Sequence, residues 1–109
     1  MKIQVYGLKN CDSCKKAVKA LMATGQDVEL VDIRENPLSE GDIHALFDLL
    51  GDRLLNTRST TWRSLSDAER AGAPVTLIVE HPTLMRRPVV QQGDRRTLGW
   101  DAKTQAEWV

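Results

Sequence analysis

The stretch Tyr6-Gly7-Leu8-Lys9-Asn10-Cys11-Asp12-Ser13-Cys14-Lys15-Lys16-Ala17 holds the only two cysteines of the chain, where a short strand pattern, Ile3 and Val5 with polar residues between, hands over to a helix pattern. Val18, Leu21 and Met22, with Cys14 and Ala17, mark the buried stripe of that helix; Asp12 or Ser13 offers its cap and Gly25 its stop. Val28-Glu29-Leu30-Val31-Asp32-Ile33 then reads as a second strand, so residues 3–33 predict a βαβ unit with a parallel pair and a right-handed crossover. A sulfur at a helix N-terminus faces unpaired backbone N–H groups and the positive end of the macrodipole, which favour thiolate over thiol. The second sulfur, three residues on, shares its helical face. A redox pair is the leading reading. Half a zinc site is one alternative, but its partners would be His44 and His81, which lack the close spacing of a zinc finger's second half. Inert burial is the other, and it suits Cys14 better than Cys11, which stands in a turn between Asn10 and Asp12.

Composition narrows the function classes. A length of 109 residues suits one domain with a modest core. Fifteen Lys+Arg against fifteen Asp+Glu give a formal net charge of zero, so no general electrostatic grip on nucleic acid or on a membrane surface is expected. There is no apolar run long enough to span a bilayer, and Met1-Lys2-Ile3-Gln4-Val5 passes into a strand pattern without a signal-peptide core. The expectation is a cytoplasmic monomer. In that compartment a closely spaced cysteine pair is more often catalytic, redox-sensing or metal-binding than structural.

Downstream, Pro37 breaks the chain, Ser39 caps with Asp42 behind it, and Ile43, Leu46, Phe47 and Leu50 recur at helical spacing until Gly51. Residues 54–65 are too polar for a core strand and too rich in β-branched residues for an easy helix, and predict short helical turns around a loop. Ser66 with Glu69 makes a second capping box, and Pro74 suits the first turn of a further helix. Val75-Thr76-Leu77-Ile78-Val79 is ambiguous: propensity favours a strand, while Val75, Ile78 and Val79 fit one helical face. Val89-Val90-Gln91 and Arg96-Thr97-Leu98 flank Gln92-Gly93-Asp94, a hairpin signal, and Asp101 caps a short last helix carrying Ala102, Ala106 and Trp108. This element order predicts an α/β, thioredoxin/glutaredoxin-like mixed sheet, a βαβ unit followed by a β-hairpin and a C-terminal helix, with a helical insertion.

Three motifs in order, Tyr6 to Asp12, Leu55 to Arg63 and His81 to Val90, make the chain resemble the ArsC/Spx family, arsenate reductase-like, and within it the YffB subgroup most closely in pattern. The resemblance runs over essentially the whole chain. It implies a single domain over residues 1–109 with the insertion at about 37–82, and it tips Val75 to Glu80 toward helix. It also places Cys11 on the family's nucleophile, Arg87 on the arginine beside it, and Pro88 on a proline whose cis peptide bond faces the thiol. A guanidinium near a sulfur lowers its pKa and holds an oxyanion or carboxylate by paired hydrogen bonds.

Departures from the arsenate reductase pattern redirect the function. Of the three arginines those enzymes use to hold arsenate, only the one at Arg87 is matched; Asn56 and Trp100 align with the other two, and Arg58 lies two residues beyond the first. Each lost charge-assisted bond costs about 1.5–3 kcal/mol, which makes arsenate a poor natural substrate. Cys11-Asp12-Ser13-Cys14, Thr57-Arg58-Ser59 and Leu84 to Pro88 look like Spx, whose members bind the RNA polymerase α subunit, although those regulators continue into a longer C-terminal part. Lys9-Asn10 and Thr60 to Arg63 look like the YffB subgroup, for which a glutathione-dependent thiol reductase role has been proposed.

The resulting expectation is a thiol–disulfide oxidoreductase, with an Spx-like redox-sensing regulator that binds the RNA polymerase α subunit as the alternative. Cys11 is the thiolate, Cys14 the resolving thiol, and Arg87 the third catalytic residue; Asn10, Asp12, Ser13, Arg58 and Pro88 are the candidate substrate contacts. Glutathione is the expected co-substrate, with no bound cofactor and no metal. Lys9, Lys15 and Lys16 form a basic rim that would draw it in. His44 and His81 are read as an exposed helix residue and a helix-end residue, and at least two of Trp62, Trp100 and Trp108 as core.

Overall fold

The computed structural model describes residues 1–109. Along the chain run β1 (Ile3–Gly7), α1 (Asp12–Ala23), β2 (Val28–Asp32), α2 (Glu40–Leu50), α3 (Thr60–Ser64), α4 (Asp67–Arg70), α5 (Pro74–Glu80), β3 (Val89–Gln92), β4 (Arg95–Leu98) and α6 (Ala102–Trp108), with 3-10 turns at Gly51–Leu54 and Pro82–Leu84. They fall into two compact units, a sheet unit of residues 1–33 and 87–109 and a helical unit of residues 34–86.

In the sheet unit the strands are ordered β2-β1-β3-β4. β1 and β2 pair in parallel, from Ile3 opposite Val28 to Gly7 opposite Asp32, as a βαβ unit requires. β3 returns antiparallel to β1, with Val90 opposite Val5, and β4 continues the antiparallel order. The hairpin turns at Gly93, whose φ of 59° opens a two-residue connection that a side chain would strain. This is the expected thioredoxin/glutaredoxin-like α/β sheet. Period-two alternation along β1 sends Ile3 and Val5 into a core with Ala17, Leu21, Val28 and Val90. Each such side chain contributes roughly 1.5–3 kcal/mol by leaving water. Trp100 and Trp108 pack against this cluster, and α6 is held to β4 by the Trp108 Nε1–H, which donates to Thr97 Oγ1 at 2.7 Å. Asp101 caps α6 by accepting the Thr104 N–H.

One stripe residue departs from expectation. Met22 is 54% exposed, because Cys14, Ala17 and Leu21 already fill the face of α1 that meets the sheet and Met22 lies a further step round the helix.

The helical unit follows its local signals closely. Ser39 Oγ accepts the Asp42 N–H to open α2, Gly51 with φ 68° closes it, and Ser66 and Glu69 form a reciprocal capping box. Residues 75–80 are helical, with Pro74 at the first position. Within that helix Leu77 and Ile78 are buried while Val79 is 41% exposed, so the buried face is not the one formed by Val75, Ile78 and Val79. Leu54, Leu84 and Met85 are each fully buried, and Leu55 forms an isolated antiparallel bridge with Met85. No helix is long and apolar enough to cross a membrane.

Candidate redox site

β1 ends at Gly7, whose carbonyl accepts the Ile33 N–H at 2.9 Å, and the chain then turns through Leu8, Lys9 and Asn10 into α1. The Cys11 N–H closes that turn on the Leu8 carbonyl at 3.1 Å, and the Cys11 carbonyl accepts the Lys15 N–H at 3.0 Å as the first helical bond. Cys11 is therefore the N-cap, with φ −90° and ψ 121°. This corrects the assignment of the cap to Asp12 or Ser13: both stand inside the first turn, exposed, and no side chain there makes an ordinary capping hydrogen bond. The sulfur occupies the place of the usual oxygen. Although it falls short of a full capping bond, the Cys14 N–H faces it closely enough to favour its anion.

The two thiols are set in opposite directions. Partial burial works against a charged Cys11, but hydrogen bonds from the Cys14 thiol and N–H, and then the hydrogen bond and charge of Arg87, outweigh it and hold the Cys11 thiol below its ordinary value. Cys14 is wholly buried, and burial first, then the hydrogen bond to Cys11 and its charge, pushes it up to about 12; the Leu8 backbone and Arg87 pull back only in part. Both cysteines are free thiols. One sulfur is thus placed to react with solvent-borne molecules, and the other is withheld behind it.

Gly7, which the sequence analysis does not single out, makes room for this arrangement. A Cβ at Gly7 would collide with Cys14 Sγ and come within 3.1 Å of its Cβ, so the strand must lack a side chain where the buried thiol lies. A glycine at a strand end is the available signal, since it marks close approach of another group to the backbone.

Arg87 reaches the sulfur by way of β3. Tyr6 in β1 pairs with Val89, so the residues just before Val89 lie alongside the turn that follows Gly7. The Arg87–Pro88 peptide bond is cis, Pro88 is fully buried, and Arg87 is partly exposed. Cys11, Cys14 and Arg87 are thereby brought together, with Asn10, Asp12 and Ser13 exposed on either side of Cys11 in the chain and Pro88 buried. Lys9, Lys15 and Lys16 are exposed on the same turn and first helical turns. Arg58 belongs to the helical unit, where its N–H donates to Asn56 Oδ1 at 3.1 Å in the turn before α3. Trp100 packs against the sheet core. His44 is exposed and pairs with Asp48 at 3.2 Å, and His81 closes α5.

Comparison with known proteins places this site in context. An uncharacterised protein of Haemophilus influenzae is 36% identical over 106 residues, covering 93% of each chain. A solved structure described as the YffB protein superposes with a TM-score of 0.89 at 25% identity, covering 97% of each chain. The global transcriptional regulator Spx 2 of Bacillus cereus is 27% identical over 103 residues, covering 89% of this chain and 79% of its own. The family model described as ArsC family matches residues 6–108, from the last residues of β1 through the turn that carries Cys11 to α6. The chain belongs to the ArsC family.

Proposed function

We propose that the protein carries out thiol–disulfide exchange in the cytoplasm as a monomer, with Cys11 as attacking thiolate, Cys14 as resolving thiol and glutathione as reductant. The observation that supports this most is the division between a partly exposed Cys11 favoured as thiolate and a buried Cys14 pushed up to about 12. In the first step the Cys11 thiolate attacks one sulfur of a disulfide; a mixed disulfide forms and the other half leaves as thiolate. The Cys11 anion is then gone, and with it the charge and hydrogen bond that help keep Cys14 protonated. Cys14 gives up its proton to the released thiolate or to water and attacks the Cys11 sulfur, expelling the second half of the substrate. Two glutathione molecules restore the dithiol and leave as glutathione disulfide, so two electrons pass from glutathione to substrate.

Arg87 serves this cycle twice. It favours the Cys11 anion both as nucleophile and as leaving group, and its guanidinium suits a carboxylate of glutathione by paired hydrogen bonds. The exposed Lys9, Lys15 and Lys16 would raise the local concentration of an anionic tripeptide.

Similarity to the Spx 2 regulator supports a second reading, in which oxidation of Cys11 and Cys14 changes affinity for the RNA polymerase α subunit. A glutathione-coupled disulfide assay run beside a pull-down of the α C-terminal domain under reducing and oxidising conditions separates the two. The enzyme reading predicts turnover without binding, and little arsenate reduction in the same coupled system, because Asn56 and Trp100 stand at two of the family's arginine positions. Binding without turnover would replace it with the regulator.

A further inference from the structure

Asp32 is a buried carboxylate, 8% exposed, and burying an anion is costly unless donors meet it. It ends β2 directly opposite Gly7, the last residue of β1. Its Oδ2 accepts the Lys9 N–H at 3.1 Å, while the adjacent Ile33 N–H donates to the Gly7 carbonyl at 2.9 Å. The end of β2 therefore grips the chain on both sides of Leu8. Leu8 in turn accepts the Cys11 N–H at 3.1 Å, so hydrogen bonds lead from the Asp32 carboxylate through the turn to the residue that carries the reactive sulfur.

Leu8 is buried at the head of the turn, but Lys9 and Asn10 are exposed, so between Leu8 and Cys11 the turn has little packing of its own to fix its shape. A backbone N–H donating to a carboxylate makes a strong, directional tie. The charged groups that act on the two thiols are Arg87 and the sulfurs themselves, so Asp32 bears on the site through geometry. We propose that Asp32 is a positioning residue for Cys11: by holding the Lys9 N–H it fixes the turn from Leu8 to Cys11, and with it the direction in which the Cys11 sulfur faces the Cys14 N–H and Arg87. This rests on the reading of Cys11 as the reacting thiol. Without the acceptor, the Lys9 N–H turns to water, the turn samples other conformations, and the sulfur spends part of its time away from its donors.

The full chain tests this by iodoacetamide labelling of Cys11, followed by mass spectrometry as a function of pH, with a thermal melt of each variant alongside. Asp32→Ala should raise the Cys11 midpoint by about one pH unit, roughly a tenfold loss of thiolate at a pH below both midpoints. Asp32→Asn, which keeps an oxygen acceptor without the charge, should stay near wild type. Lys9→Pro removes the donor in place of the acceptor and should match Asp32→Ala, which keeps the test decisive if Asp32→Ala does not fold. A purely structural role would lower the melts without separating these midpoints. A low wild-type midpoint that Asp32→Ala and Lys9→Pro leave in place overturns the role of Asp32 alone, as does a shift in Asp32→Asn equal to that in Asp32→Ala. A wild-type midpoint at or above the ordinary thiol value overturns the reading of Cys11 on which the role rests.

Discussion

At the start of α2, Ser39 Oγ accepts the Asp42 N–H at 3.1 Å; at the start of α1 the same position is Cys11, and no side chain makes an ordinary capping bond. The two helices are nearly equal in length, 11 and 12 residues, so each has the same unpaired N–H groups to satisfy. Ser59, Ser66 and Asp101 repeat the α2 solution at the starts of α3, α4 and α6. An oxygen cap contributes about 0.5–2 kcal/mol, and α1 forgoes most of that. What it keeps is a set of donors aimed at a sulfur. The difference teaches that α1 opens on a sulfur where α2, α3, α4 and α6 open on a capping oxygen; α5, behind Ala73, also lacks a side-chain cap, but Pro74 opens it and no reactive group stands there.

The sharpest way to break this comparison is to exchange the two solutions. Cys11→Ser should abolish reduction of a mixed-disulfide substrate and yet stabilise the protein by up to about 1 kcal/mol, because serine is the better cap. Unfolding in urea checks the second half on the acid side of the Cys11 titration, where the thiolate adds nothing to the comparison. Ser39→Ala should do the reverse, losing about 1 kcal/mol while Cys11 reactivity stays unchanged. A Cys11→Ser protein less stable than wild type would show that the sulfur already caps α1 well.

Arg87→Ala sharpens the comparison by removing a donor that does not belong to the helix. The Cys11 midpoint should rise by about one pH unit, slowing labelling up to roughly tenfold at a pH below both midpoints, while Arg58→Ala moves it less. Equal midpoints in wild type and Arg87→Ala would mean that α1 alone sets the thiol.

Cys14 predicts an effect confined to alkaline pH, on stability. Its thiol is pushed up to about 12 in the folded protein, against roughly 8.5 in the unfolded chain. Above about 8.5 the unfolded chain has released a proton that the folded state still holds, so stability falls as pH rises through this window. Cys11, lowered on folding, has the opposite sign: its contribution is fully present above about 8.5 and is lost as pH falls through its folded value. In Cys14→Ala the alkaline fall in urea midpoint should be shallower, and an unchanged slope would mean that Cys14 ionises freely in the fold.

Local signals made much of this legible from sequence. The alternation of Ile3 and Val5, the stripe of Ala17 and Leu21, and the oxygen caps at Ser39, Ser66 and Asp101 each act within a few residues, and each produces the element it predicts. The start of α1 was misplaced for the same reason that it matters. Cysteine has no standing as a cap, so the rule chose the nearest oxygens, Asp12 and Ser13. Gly7 and Asp32 were illegible because their partners are tertiary: one leaves space for Cys14, and the other meets a backbone N–H in a turn distant in sequence. The approach of Arg87 to Cys11 likewise spans most of the chain, and resemblance to a family, not spacing, suggested it. Val79 and Met22 show the limit of helical periodicity, which marks a face more finely than a short helix buries it.

The central claim is that the fold makes Cys11 a thiolate and keeps Cys14 a thiol. Following alkylation of each cysteine by mass spectrometry across a pH series tests it most directly. The account predicts a Cys11 midpoint below the unperturbed value of roughly 8.5, with Cys14 unreactive throughout that range. A Cys11 midpoint at or above roughly 8.5, or two cysteines that titrate together, would contradict it.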